Sequence, residues 1–380
     1  MFRIVHLITG LGTGGAEMML VRLLSKTDRR QFEPVVISLS GRGALGSVIE
    51  DLGIPVLGAD MNSGRPTMVG ICRSISLARN LMPDIIQGWM SHGNLASQLS
   101  GALMGSRVSV IWNIRQSIYS LGYYGKKTAA LIKIGSYISR LPKAIVYNSK
   151  SGAEQHEALG YQRDKRVIIP NGFDVDTFSP DSEAIESVRK ELKIPMGAFI
   201  IGLIARNDPL KDHFTFLHAA SLLLEFQPNV HFVLAGFGVD RRNKILNNLI
   251  MDLNLPDNVH LLGERFDIPR LNAAMDVATS SSYAEGFPNV IGEAMSCGVP
   301  CVVTDVGDSA LLVGDTGIVV EPKKPESLCK GWVKLIEMPA KDRQRIGEAA
   351  RKRIIDHFSI DFIARQYEQL YREVFHGQKR

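Results

Sequence analysis

The sequence predicts an α/β protein built of two doubly wound domains, each a parallel sheet covered by helices. Three observations carry that prediction. The length, 380 residues, exceeds what one ordinary core organises. Short β-branched apolar runs alternate with helix-length segments from end to end. A stretch punctuated by proline and glycine, "IIPNGFDVDTFSPD" at 168–181, breaks the chain near its middle.

In chain order, the strand candidates are "RIVHLI", "PVVISLS", "DIIQGWM", "VSVIWNI" and "AIVYNS" before the break, then "FIIGLIA", "VHFVLAG", "VHLLG", "VATSSS" and "PCVVTD" after it. Their near-continuous apolarity fits strands buried on both faces. The break puts the first domain at 1–170, an interdomain linker at 171–195 and the second domain at 196–355. Within 356–380, "DHFSIDFIARQYEQLYREVF" spaces its apolar residues as a helix does, and it is expected to pack back toward the N-terminal domain. Two such domains create a cleft at the carboxyl ends of their strands, so functional residues are sought just after strands.

Apolar content of 45% and charged content of 22% are those of a folded soluble protein and set disorder aside. The net charge of +5 is uneven: residues 1–180 carry 20 Lys and Arg against 12 Asp and Glu, whereas 181–380 carry 24 against 27. No acid occurs between Asp84 and Glu154, while eight bases do, from Arg107 to Lys150. The basic field is therefore local. Cys72, Cys297, Cys301 and Cys329 have neither paired metal-ligand spacing nor the density of a disulfide scaffold, which points to reduced thiols in a cytosolic setting. The opening "MFRIVHLITG" reads as a strand and a glycine loop, not a signal peptide. No apolar stretch reaches the roughly 18 residues of a spanning helix, so a soluble or membrane-peripheral protein is expected.

The loops after the strands hold the chemistry. Gly10, Gly12 and Gly15 satisfy G-x-G-x-x-G before a helix expected from Ala16, yet the second strand ends "ISLSGRG" without the acid a dinucleotide site needs. What remains is a glycine loop that lets backbone N–H groups approach an anion or sugar. His92 follows the strand "DIIQGWM", and Asn94 is placed to cap the next helix. In "GLIARNDPLKD", Arg206 and Lys211 flank a turn forced by Pro209, and two cations closing on one loop can neutralise a diphosphate. "EGFPNVIGE" brackets Gly286, Phe287, Pro288, Asn289 and Val290 with Glu285 and Glu293. Pro288 ends the loop and Asn289 suits an N-cap for a helix beginning at Val290, whose amides and dipole form an anion site. Two carboxylates beside that site suit a neighbour rich in hydroxyls, as a nucleotide sugar is.

These motifs together, Glu285-x7-Glu293, Arg206-x4-Lys211, "GTGGAE" and "PNGFDVDTF", strongly resemble the retaining glycosyltransferases of family 4 over nearly the whole chain. The resemblance implies the GT-B fold, two Rossmann-like domains facing across a cleft. It also implies that Glu293 holds the donor ribose and that Arg206 and Lys211 hold the phosphates. Glu285 and the amides of Phe287, Asn289 and Val290 would hold sugar and diphosphate, Gly14 and Gly15 would sit at the phosphate and acceptor, and His92 would lie near the sugar's 6-hydroxyl. The family needs no divalent metal, so no cofactor is expected beyond the nucleotide-sugar co-substrate, taken to be UDP-linked.

Acceptor choice is expected in the first domain, where 111–140 mixes Trp112, Tyr119, Tyr123, Tyr124 and Tyr137 with Arg115, Lys126, Lys127, Lys133 and Arg140. Aromatics with bases and no acids suit an anionic bilayer; the alternative is an amphipathic helix whose lysines face water. The expected partners are a nucleotide sugar, a saccharide or lipid-linked saccharide, and the inner face of the cytoplasmic membrane, with no nucleic acid. An NAD-dependent dehydrogenase and a non-catalytic sugar-nucleotide-binding protein stay open as alternatives.

Overall fold

The computed structural model of the protein describes residues 1–59, 68–123 and 125–378. Two compact units result, one of residues 1–172 with 360–380, the other of residues 173–359.

The first unit alternates β1 (Phe2–Ile8), α1 (Gly15–Lys26), β2 (Phe32–Ser38), α2 (Gly46–Asp51), β3 (Val56–Gly58), α3 (Met68–Leu81), β4 (Ile85–Trp89), α4 (Met90–Met104), β5 (Ser109–Ile114), α5 (Lys126–Ile138), β6 (Ala144–Tyr147), α6 (Lys150–Ala158) and β7 (Arg166–Ile168). Its strands form one sheet in the order β3-β2-β1-β4-β5-β6-β7, with parallel pairing throughout. The chain order reverses between β1 and β4, whose last residues Ile8 and Trp89 are cross-strand partners. Helices cover both faces, so β4 and β5 are buried at every residue and β1 at all but its first two.

The second unit repeats the plan with α7 (Ser182–Leu192), β8 (Phe199–Ile204), α8 (His213–Leu224), β9 (Val230–Ala235), α9 (Lys244–Asp252), β10 (Val259–Leu261), α10 (Ile268–Ala273), β11 (Val277–Ser280), α11 (Asn289–Ser296), β12 (Cys301–Thr304), α12 (Ser309–Val313), β13 (Gly317–Val320), α13 (Pro325–Ile336) and α14 (Ala340–Phe358). The strand order β10-β9-β8-β11-β12-β13 again reverses, here between β8 and β11. In open parallel sheets that reversal is where loops of opposite sense separate and leave room for a ligand.

The chain then enters α15 (Ile360–Gln378), which belongs to the first unit and packs on α1. Its Ile363, Tyr367 and Tyr371 are buried in the core formed with β1, β4 and α1.

Three readings need correction. Residues 182–192, expected as linker, are α7 of the second unit; Asp181 caps it through bonds from the amides of Glu183 and Ala184 (2.9 and 3.2 Å). The terminal helix starts at Ile360, because α14 runs through 356–358. Three short edge strands, β3, β7 and β13, were not among the expected strands.

No helix among the described residues is long and apolar enough to cross a membrane.

Candidate functional site

The loops at the switch point of the second sheet are bonded into one body. After β8, Asp208 accepts from the amide of Leu210 (2.9 Å) and starts the turn Pro209–Lys211. The same carboxylate takes the guanidinium of Arg206 at 2.9 Å, so one aspartate both shapes the turn and aims the arginine. After β11, the amide of Tyr283 donates to Leu210 O (3.0 Å) and the hydroxyl of Ser281 to Lys211 O (2.8 Å). These bonds set the Lys211 ammonium against the Glu285 carboxylate, which also accepts from Ser282 Oγ at 2.7 Å. Lys211 and Glu285 are largely shielded from water, so each would be costly to leave alone, whereas the Arg206 side chain is 69% exposed and its ion pair contributes little to folding. His213, buried beneath this turn, is kept neutral, its pKa pushed down to about 4 by burial.

Glu285 and Gly286 are held from below by the loop after β12. Gly307 has a φ of +57°, and a Cβ there would stand 2.4 Å from Glu285 O; the amide of Asp308 donates to Gly286 O (2.9 Å). Only glycine permits that approach.

Asn289 is the first residue of α11, not its cap. The cap position falls to Pro288, and no side chain caps the helix. A proline there has no side-chain oxygen to offer to the first turn. The Phe287 ring is not at the ligand surface; it is buried, stacked on Phe173 (centroids 6.2 Å) and against Phe358 (5.7 Å). Its part in any site is its backbone. Phe173 reaches α11 because Gly292 lacks a side chain, a Cβ there falling 2.0 Å from the Phe173 ring. Glu293, the next residue, is a buried carboxylate within the helix.

In the first unit, Gly14 precedes α1 and Gly15 opens it. Glu17 in that first turn curls back: its Oε2 lies 2.4 Å from where a Gly14 Cβ would be, and burial raises its pKa against the pull of its own backbone N–H. A phosphate at this loop would meet that carboxylate. His92 lies in the first turn of α4, one residue after Ser91 and two after Met90, whose φ of +63° is unusual for a bulky side chain. Burial lowers the His92 pKa and favours the neutral imidazole. Asn94 does not cap α4. It is buried inside the helix and ties it to β5, accepting from the Asn113 amide (3.0 Å) and donating to the Asn113 carbonyl (3.4 Å).

The basic, aromatic stretch divides. Trp112 is buried in β5, and the partly buried Arg115 is held by Asn113 and Tyr367 instead of extending along the α5 surface. Tyr119, Tyr123, Ile134, Tyr137, Lys126, Lys127 and Lys133 are exposed around and along α5. Tyr124 lies outside the described residues.

Sequence reasoning missed Asp208, Ser281 and Ser282. The Asp-Pro turn start, Asp208 directly before Pro209, was a signal for the first. A serine run at a strand end could have flagged the others. Among the described residues, no group of three or more His, Cys, Asp or Glu is arranged to hold a metal ion.

With this geometry in place, the similarities are informative. Residues 184–353 match the family described as Glycosyl transferases group 1, and residues 13–177 match Glycosyltransferase Family 4. The chain is 30% identical over 200 residues to the UDP-Gal:alpha-D-GlcNAc-diphosphoundecaprenol alpha-1,3-galactosyltransferase of Escherichia coli, covering 52% of this chain and 51% of that one, so it spans about half the length of that relative. It is 26% identical to the lipopolysaccharide core biosynthesis glycosyltransferase LpsE of Rhizobium meliloti, over 94% of this chain and 95% of LpsE. The crystal structure of Anabaena HepE in complex with UDP and glucose superposes with a TM-score of 0.84 at 23% identity, covering 98% of this chain and 99% of HepE. The matched families account for both units, and the fold neighbours share the paired sheets: the chain belongs to the family 4 glycosyltransferases and has the GT-B fold.

Proposed function

We propose that the protein is a retaining hexosyltransferase that moves a hexose or N-acetylhexosamine from a UDP-sugar to a saccharide or lipid-linked saccharide in surface polysaccharide assembly. One observation carries this reading: at the switch point of the second sheet, Lys211, Glu285 and Ser282 form one bonded group beside the α11 terminus, with Arg206 on the same turn. Cations and a helix N-terminus suit a diphosphate, and carboxylates suit sugar hydroxyls. That the E. coli relative is named for a UDP-galactose donor, and that HepE was crystallised with UDP and glucose, supports the UDP assignment.

In the reaction, the bond from the anomeric carbon to the diphosphate breaks and a bond from that carbon to the acceptor oxygen forms on the same face. The acceptor proton passes to a diphosphate oxygen, so no protein base is required. Arg206 and Lys211 stabilise the charge that develops on the leaving group. Glu293 takes the ribose hydroxyls, Glu285 the sugar hydroxyls, and the backbone amides of Phe287, Asn289 and Val290 the phosphate oxygens. His92 serves at the sugar's 6-hydroxyl as a neutral imidazole. Two cations already neutralise the leaving group, so turnover needs no divalent metal and persists in EDTA.

The exposed face of α5, with Lys126, Lys127, Lys133 and Tyr137 and without acids, is the surface that meets anionic lipid on the inner face of the cytoplasmic membrane.

A panel of nucleotide sugars screened by thermal stabilisation names the donor, since a ligand at a hundred times its Kd adds about 2.7 kcal/mol to the folded state. Release of UDP in the presence of saccharide or lipid-linked acceptors, with the product anomer read by NMR, then decides the activity. Donor binding without turnover on any acceptor would leave a sugar-nucleotide sensor and end the transferase reading.

A further inference from the structure

Arg115 follows the last residue of β5, at the carboxyl edge of the first sheet where parallel α/β sheets bind ligands. Its NH1 donates to Asn113 Oδ1 (3.2 Å) and to the Tyr367 hydroxyl (3.0 Å), its NH2 donates to Asn171 Oδ1, and its Cζ lies 5.5 Å from the centre of the Trp89 ring. Asn113, Asn171, Tyr367 and Trp89 are all buried, and all four are neutral. Among the described residues no carboxylate pairs with this guanidinium, and the chain supplies no Asp or Glu between 84 and 154. Burial accordingly pulls the Arg115 pKa below the usual guanidinium value, opposed only by Tyr367.

Arg189, an arginine buried in the second unit, is treated differently. Arg189 of α7 donates to Asp276 Oδ2 at 3.1 Å and to the carbonyls of Pro195 and Ala198, so its charge is met by a carboxylate. A shielded cation with neutral partners only is unfavourable unless an anion arrives from outside. The planar guanidinium fork matches phosphate oxygens, and the two asparagines and the tyrosine fix its orientation in advance.

We propose that Arg115, oriented by Asn113, Asn171 and Tyr367, is the anchor of an anion subsite in the first unit that takes the phosphate or diphosphate group of the acceptor. This rests on the transferase reading above, and it separates two phosphate sites: one for the donor at Arg206 and Lys211, one for the acceptor at Arg115.

Isothermal titration of the full chain with inorganic pyrophosphate at constant ionic strength tests it. Two sites are expected. Arg206→Ala with Lys211→Ala removes one and leaves the other. Arg115→Gln weakens the remaining one by roughly tenfold or more, as loss of a charged hydrogen-bond donor does. Tyr367→Phe, which removes an orienting hydroxyl but not the charge, keeps it within about threefold, and Arg115→Lys falls between, which keeps the test decisive should Arg115→Gln not fold. If the Arg206/Lys211 double variant binds no pyrophosphate, or if the Arg115 variants bind as the native chain does, the subsite is overturned while the donor site stands. If the double variant keeps both sites, the donor reading fails instead. Competition identifies the source of the anion: displacement by glucose 6-phosphate marks a soluble phosphosugar, displacement by phosphatidylglycerol vesicles marks a lipid-borne phosphate, and displacement by neither overturns the proposal.

Discussion

At the scale of single residues, Arg206 is the cleaner probe of the proposed chemistry and Lys211 the more revealing one. Arg206 is exposed, so Arg206→Ala leaves the urea midpoint unchanged while kcat/KM falls by about 2–4 kcal/mol of transition-state stabilisation, as for loss of one preorganised donor. Unchanged turnover would remove it from the diphosphate. Lys211→Ala carries a similar rate loss and in addition destabilises the fold, because the largely shielded Glu285 carboxylate loses the cation it is paired with. Ser282→Ala is expected to lower kcat by about 1.5–3 kcal/mol, the worth of one hydrogen bond to a charged carboxylate, with little effect on donor affinity. The cations and carboxylates were legible in the sequence because their types and spacing name a chemistry. Ser281 was not, because its role exists only once two loops 70 residues apart are stitched together, while Asp208 and Ser282 bond to neighbours two or three residues away and carry no signature of a nucleotide site by type alone. Phe287 and Asn94 show the opposite limit. Both sit inside or beside functional motifs, yet their side chains serve packing and strand attachment, a distinction decided by direction and not by position.

At the scale of elements, α11 depends on its fit to Phe173. Gly292→Ala places a methyl group into that ring, and overpacking of this kind costs about 1–3 kcal/mol. Urea unfolding should register the loss, and a smaller donor affinity should accompany it because Glu293 is the next residue. The α5 surface makes a separate prediction. Replacing Lys126, Lys127 and Lys133 by Glu removes three bases worth about 1 kcal/mol each at an anionic surface, so partition onto phosphatidylglycerol vesicles at low salt falls by roughly two orders of magnitude. Equal flotation of variant and native chains would dismiss α5 as the docking face. Ten strands were readable as apolar runs; the short edge strands β3, β7 and β13, of three or four residues, were not. The α7 helix was masked by a prior that polar, acidic stretches after Pro and Gly are linkers, when Asp181 was in fact a cap.

At the scale of the whole molecule, both units bury histidines in neutral form. Burial pushes His6 down to about 3 and His156 to about 4 in the first unit, and His213 to about 4 in the second. The unfolded chain takes up protons on these groups below pH 6.5 and the folded one does not, so stability falls as pH drops from 6.5 toward 4. Each group contributes about 2 kcal/mol of that loss by pH 5. Urea midpoints measured between pH 7 and 5 should decline for the transitions of both units, and His156→Gln should flatten the decline in the first unit only.

The route of the chain through its two units sets an order of events during synthesis. Residues 173–359 begin and end side by side, the amide of Phe173 donating to Phe358 O at 2.9 Å and Phe173 bridging to Ser359. Every residue of that segment has been joined to the chain once Ser359 is added. The first unit, although translated earlier, lacks the helix that seats Ile363, Tyr367 and Tyr371 in its core until α15 has been made. The later-made half is therefore the first able to mature, and the nascent N-terminal half spends most of translation with an open groove where α15 will lie, the stage at which chaperone dependence and truncation sensitivity concentrate.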